Sequence, residues 1–96
     1  MRKIIISPLA EGDLREIWLY ISADNVAAAD RLQKPIADKI RSLAEYPAVG
    51  HKRKDAHDKA MRFVTVYPYL LAYKFDDETL YVHRIISGYR DIRKLV

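Results

Sequence analysis

Residues 60–96 read AMRFVTVYPYLLAYKFDDETLYVHRIISGYRDIRKLV. Runs rich in β-branched and aromatic residues at about 61–66, 70–76 and 79–87 predict three strands. Tyr67-Pro68-Tyr69 separates the first pair and Asp76-Asp77-Glu78 the second, both with turn chemistry. Leu71, Tyr73 and Phe75 alternate with Leu70, Ala72 and Lys74, the pattern of a strand covered on one face. The stretch therefore predicts an antiparallel meander followed by a basic tail.

Upstream of a polar, basic linker (HKRKDAHDK, residues 51–59) the hydrophobic period changes from that of strands to that of helices. Leu14, Ile17, Trp18 and Ile21 mark the buried face of a first helix, opened by Ser7 as cap and Pro8 at the first position. Glu11 and Asp13 suit the positive end of its dipole, and Gly12 costs it about 1 kcal/mol relative to Ala. Ala23-Asp24-Asn25 breaks this helix and can cap the next. Ala29, Leu32, Ile36, Ile40 and Leu43 form one apolar stripe from Val26 to about Tyr46. The stripe stays in phase through Pro35, so one kinked helix is expected, not two. Pro47 and Gly50 end it. The short link between the helices predicts an antiparallel hairpin. Arg2 to Ser7, with Ile4, Ile5 and Ile6, reads as an opening strand. The order β-α-α-β-β-β gives an α+β fold: an N-terminal strand and an antiparallel helical hairpin packed on a small, mostly antiparallel sheet, in a single domain over residues 1–96.

Half of the 96 residues are hydrophobic, too many for a disordered chain. With no cysteine, disulfides and thiolate chemistry are excluded, and a reducing cytoplasm is the expected compartment. The apolar run near the N-terminus is only Ile4 to Ile6, short of the roughly 7–15 residues of a signal core or the roughly 20 of a membrane span. The net charge of +4 is unevenly placed. Residues 1–46 carry seven Lys/Arg and seven Asp/Glu, whereas residues 47–96 carry ten and six. An acidic partner fits this asymmetry, either nucleic acid or an acidic protein segment, and so does a plain solubility surplus.

Catalytic motifs are sparse. His51, His57 and His83 have no zinc-ligand spacing, and no metal site is expected. Asp76, Asp77 and Glu78 belong to a turn. Three isolated glycines make no phosphate loop, and no serine has a nucleophile's context, so no cofactor is expected. The basic groups remain: Lys52, Arg53, Lys54, Lys59 and Arg62 in one cluster, and Arg84, Arg90, Arg93 and Lys94 in another. Arg84 is expected on a strand face shared with Val82 and Ile86, where its charge needs a partner or water. Interleaved with Tyr67, Tyr69, Tyr81 and Tyr89, these groups could track a phosphate backbone; equally, the tyrosines could be core and rim residues.

In layout the chain resembles the ParE/RelE superfamily of bacterial toxins from type II toxin–antitoxin systems. The resemblance spans essentially the full length. It rests on Ser7-Pro8-Leu9-Ala10 with Asp13-Leu14 and Ile17-Trp18, on Leu43-Ala44-Glu45-Tyr46-Pro47 with Gly50, on Tyr69-Leu70-Leu71-Ala72-Tyr73, and on residues 84–91 (RIISGYRD). RelE-like members cleave messenger RNA on the ribosome, which needs proton acceptors, donors and cations around the attacking 2′-hydroxyl. Their set would map to Lys54, Arg62, Arg84 and Arg90. Leu70 stands where such chains commonly have arginine, and no C-terminal aromatic follows Arg90, so the set is incomplete. The ParE-like branch fits better. It implies inhibition of DNA gyrase by binding, plasmid stabilisation, and no catalytic residues of the chain's own. Its target surface would be Tyr89, Arg90, Arg93 and Lys94. The resemblance further implies a ParD-like antitoxin whose acidic, disordered segment folds on binding, with Trp18, Arg62, Tyr73 and Arg84 as contacts and a groove between hairpin and sheet as its seat. Free of antitoxin, the toxin would cover that patch as a homodimer. No membrane association is implied, and nucleic acid is involved only indirectly, through the gyrase complex.

Overall fold

In the computed structural model, which describes residues 1–87, the elements follow the expected order with two additions. Strand β1 (Lys3–Ile6) leads to helices α1 (Pro8–Ser22) and α2 (Val26–Glu45). A 3-10 turn (Pro47–Val49) and the short strand β2 (His51–Lys52) come next. The meander is β3 (Arg62–Val66), β4 (Tyr69–Phe75) and β5 (Thr79–Ser87). The sheet order is β1-β5-β4-β3-β2, antiparallel except for the β1–β5 pair. Among the described residues no helix is long and apolar enough to cross a membrane.

The caps form as their residues dictate. Ser7 Oγ accepts from the Ala10 N–H at 3.0 Å, and Asn25 Oδ1 accepts from the Ala28 N–H at 3.0 Å. Ser7 Oγ also donates to the His83 carbonyl at 2.6 Å, tying the start of α1 to β5. Helix α2 runs through Pro35 as one element. Pro35 and Arg31 are both exposed, so the carbonyl that Pro35 cannot satisfy has water available. The Asp76 carboxylate accepts from the N–H groups of Glu78 and Thr79, which makes the β4–β5 connection an Asx turn.

The stripe of α2 (Ile36, Ile40, Leu43, Ala44) packs with Ala10 on Leu71, Tyr73, Leu80, Val82 and Ile85. Each such Leu or Ile contributes about 1.5–3 kcal/mol of burial. Two expectations about the sheet are corrected. The linker contributes to the sheet and its packing: His51 and Lys52 pair with Phe63 and Arg62, and Ala56 joins Met61, Phe63, Ala72 and Ile86 in a second apolar cluster. Strand β4 is consequently buried on both faces at its centre, at Leu71, Ala72 and Tyr73, instead of on one. The second correction concerns β5. Ala72 faces Arg84 but Tyr73 faces Val82, so His83 is an extra residue, a β-bulge. The bulge breaks the two-residue alternation. Val82 and Ile85 enter the helix-side core and Ile86 enters the second cluster, so Arg84 does not share one face with both Val82 and Ile86.

Tyr73 is 0 % exposed. Its hydroxyl donates to the Pro47 carbonyl at 2.5 Å and accepts from the Gly50 N–H at 2.9 Å, fixing the turn that turns α2 back to the sheet. A Cβ on Gly50 would lie 2.2 Å from that hydroxyl, so glycine is needed there for space. Burial raises the Tyr73 pKa, opposed in part by the Gly50 N–H. A phenol whose pKa is raised by folding contributes stability that is intact below the unfolded value near 10 and lost as pH rises through the folded value.

Tyr73→Phe leaves two buried backbone groups unpaired and is expected to cost about 1–3 kcal/mol in urea melts, while removing this tyrosine's share of the stability loss above about pH 10. Gly12 has no neighbour within 4 Å of where a Cβ would stand. Gly12→Ala is therefore expected to stabilise by about 0.5–1 kcal/mol, read as a higher Tm.

Candidate functional site

Arg84 has its partner inside the chain. Its Nε and Nη2 donate to the two carboxylate oxygens of Asp13 at 2.8 and 2.9 Å, and the Ile85 N–H donates to Asp13 Oδ2 at 2.9 Å. The two side chains are 13 % and 11 % exposed. Asp13 raises the Arg84 pKa, first by hydrogen bonding. Asp13 thus does more than complement a dipole: it holds α1 on β5 beside the bulge. With Asp13 and Arg84 separated by 71 positions in the chain, no local pattern could have signalled the pair.

Arg62 is also engaged. Its Nη1 donates to the Gly50 carbonyl at 2.9 Å and the Ala48 carbonyl at 3.3 Å, and its guanidinium lies 5.7 Å from the Phe75 ring centroid. Arg2 lies 5.5 Å from the same ring. Lys54 is in the exposed loop, where its carbonyl accepts a bond from Lys59 Nζ. The three described members of the nuclease set therefore do not present a shared group of free cations. The fourth, Arg90, lies outside the described residues, as do Tyr89, Arg93 and Lys94 of the expected target surface.

Of the expected antitoxin contacts, Trp18 is half-buried and donates through Nε1 to Asp30 at 3.0 Å, linking the two helices. Tyr73 has no surface to give a partner, a correction that follows from its burial. Between hairpin and sheet, the buried stripe of α2 packs directly on the sheet's apolar residues. Open apolar surface lies elsewhere: Leu9, Leu19 and Tyr20 on α1, Tyr67 at the β3–β4 turn, and Val49. Val49 lines an open cavity of about 430 Å³ with His51, Arg53, Phe63, Val64, Thr65 and Leu70. A second cavity of about 550 Å³ at the opposite sheet edge is lined by Met1, Arg2, Ala44, Glu45, Tyr46, Asp77 and Glu78.

On the sheet's second face Lys74 Nζ meets Asp58 at 2.8 Å. That bond, with the Ala60 N–H and the nearby His83, holds the Asp58 carboxyl below the usual range. Among the described residues no group of three or more His, Asp or Glu could hold a metal ion.

Asp13→Ala strands a mostly buried guanidinium and is expected to cost about 3 kcal/mol, whereas Asp13→Leu combined with Arg84→Met should recover most of that loss. A double-mutant cycle in urea melts measures the coupling.

Curated proteins give no match to the chain. Among solved structures it resembles a chain described as the chromosomal ParDE TA system from P. aeruginosa, with a TM-score of 0.73 at 18 % identity, covering 91 % of this chain and 96 % of that one. At that identity the likeness speaks for the fold. The model of the ParE toxin of the type II toxin–antitoxin system, parDE, matches residues 4–92. A match over nearly the whole chain carries the assignment: this protein belongs to the ParE toxin family.

Proposed function

We propose that this chain is a toxin that arrests growth by binding DNA gyrase in the cytoplasm, and that a ParD-like antitoxin neutralises it. The observation that carries the reading is the engagement of its internal arginines. Arg84 is bound to Asp13 and Arg62 to the carbonyls of Ala48 and Gly50. A ribonuclease of this fold would need such cations free to stabilise charge on a transferring phosphate. A gyrase inhibitor needs no such set, because the topoisomerase itself cuts the DNA and the toxin only has to hold the broken complex. Tyr89, Arg90, Arg93 and Lys94 are the proposed target contacts in a single toxin domain, with one aromatic anchor among cations. Trp18, Arg62 and Arg84 stay as proposed antitoxin contacts, the two arginines through whatever surface their internal bonds leave.

The basic half of the chain supports an acidic partner, since its ten Lys/Arg against six Asp/Glu favour association with negative charge. The exposed Leu9, Leu19, Tyr20 and Tyr67 supply apolar surface that the antitoxin, or a second toxin copy in its absence, would cover.

Purified protein is expected to inhibit gyrase supercoiling and to accumulate cleaved DNA, and induced cells to filament with DNA damage. Replacing Tyr89, Arg90, Arg93 and Lys94 together with Ala should lower inhibition by at least about a hundredfold, in keeping with loss of an interface's few dominant contacts. Cuts within codons of translated messages, mapped by primer extension, would instead establish a ribosome-dependent nuclease.

A further inference from the structure

Two like charges oppose each other where β2 meets β3. Lys52 is the register partner of Arg62. Directly opposed residues of an antiparallel pair project from the same face of the sheet, and like charges in that position are destabilising. No carboxylate offsets the pair: neither Lys52 nor Arg62 is in an ion pair among the described residues. The bonds of Arg62 to the Ala48 and Gly50 carbonyls orient its charge without cancelling it.

The loop that follows adds to the same field. Residues 51–62 carry five Lys/Arg against two Asp, and both acids are engaged, Asp55 with Arg53 and Asp58 with Lys74. Lys54 is exposed and has no carboxylate partner among the described residues. Lys59 Nζ donates to the Lys54 carbonyl, which brings a further positive charge to that turn. The backbone carrying these cations is tied down. Ala56 is 1 % exposed in the second apolar cluster, and Asp58 binds both Lys74 and the Ala60 N–H.

Composition selects the anion. Over residues 51–59 every exposed side chain is polar, and the one apolar residue, Ala56, is buried. Protein partners are gripped through apolar and aromatic anchors, and lysine is depleted from their interfaces. Single-stranded nucleic acid is gripped by stacking on aromatic rings. Residues 51–63 expose no Phe, Tyr or Trp for this, since Phe63 is buried. The phosphate backbone of a duplex asks only for cations.

We propose that Lys52 and Lys54 contact the phosphate backbone of duplex DNA, with Arg62 and Lys59 reinforcing the local positive field. The choice of DNA rests on the reading of this chain as a gyrase inhibitor, because that target holds a duplex; the site itself rests on the placement of the charges. The toxin then grips the DNA as well as the enzyme, and two modest contacts with one complex multiply through effective concentration. Phosphate contacts position a protein without reading sequence, so the grip is independent of base sequence.

Fluorescence anisotropy of a labelled duplex, titrated with toxin alone, tests the site apart from gyrase. Lys52→Gln with Lys54→Gln should weaken binding by about tenfold at low salt and lessen the slope of log K against log salt by about 2. Its Tm should be no lower than that of the native chain, because the Lys52–Arg62 opposition is relieved. Lys3→Gln with Lys34→Gln, equal in net charge and remote from this edge, should leave the slope unchanged. Duplex DNA should tighten the binding of the native chain to gyrase but not that of the Lys52/Lys54 variant, while the two bind DNA-free gyrase equally. No duplex binding at low salt, an equal loss in the control variant, or tighter binding of single-stranded RNA overturns the proposal and leaves the gyrase reading standing. Weaker binding of the Lys52/Lys54 variant to DNA-free gyrase assigns the lysines to a protein contact and overturns it too. Duplex binding that the variant loses, from a native chain that does not inhibit supercoiling, supports the site and overturns the gyrase reading.

Discussion

The carboxylate of Asp13 is the contact on which the layering of this molecule depends. It accepts both forks of the Arg84 guanidinium and the Ile85 N–H, three bonds from one strand to one helix. Charge-assisted bonds of this geometry are stronger than neutral ones, and here they are mostly shielded from water. The exposed pairs on α2, Lys34 and Arg41 with Asp38, are screened by water and contribute little. The difference lies in position. Asp13 sits where α1 crosses the bulge in β5, and Ser7 ties the same helix to the His83 carbonyl at the bulge itself. The helix is thus anchored at the one place where the strand departs from regular pleating.

A second anchor works at the other end of the hairpin. Tyr73 projects from the central strand and holds the chain between Pro47 and Gly50, so the exit of α2 is fixed by one hydroxyl. Arg62 donates to the Gly50 carbonyl from the neighbouring strand, which braces the same turn from outside. Together the two anchors explain why polar residues that look available for chemistry are occupied. Arg84, Arg62 and Tyr73 serve the frame, while Lys52 and Lys54 stand exposed at the other edge of the sheet.

The sequence alone determined most of the frame. Caps at Ser7 and Asn25, the in-phase stripe through Pro35, and the turns at Tyr67-Pro68-Tyr69 and at Asp76 are local, and local backbone chemistry carried them into the structure. The family, too, was legible in the ordered series of short motifs. Tertiary structure decided the rest, because those features depend on residues far apart in the chain. The bulge at His83 reassigned Ile85 and Ile86 between faces, which a strict period of two cannot foresee. Strand β2 formed from two residues of a basic linker only because β3 offered them backbone partners. Arg84 could be seen to need a partner from its expected burial, but its partner, 71 residues away, could be found only once α1 lay across β5.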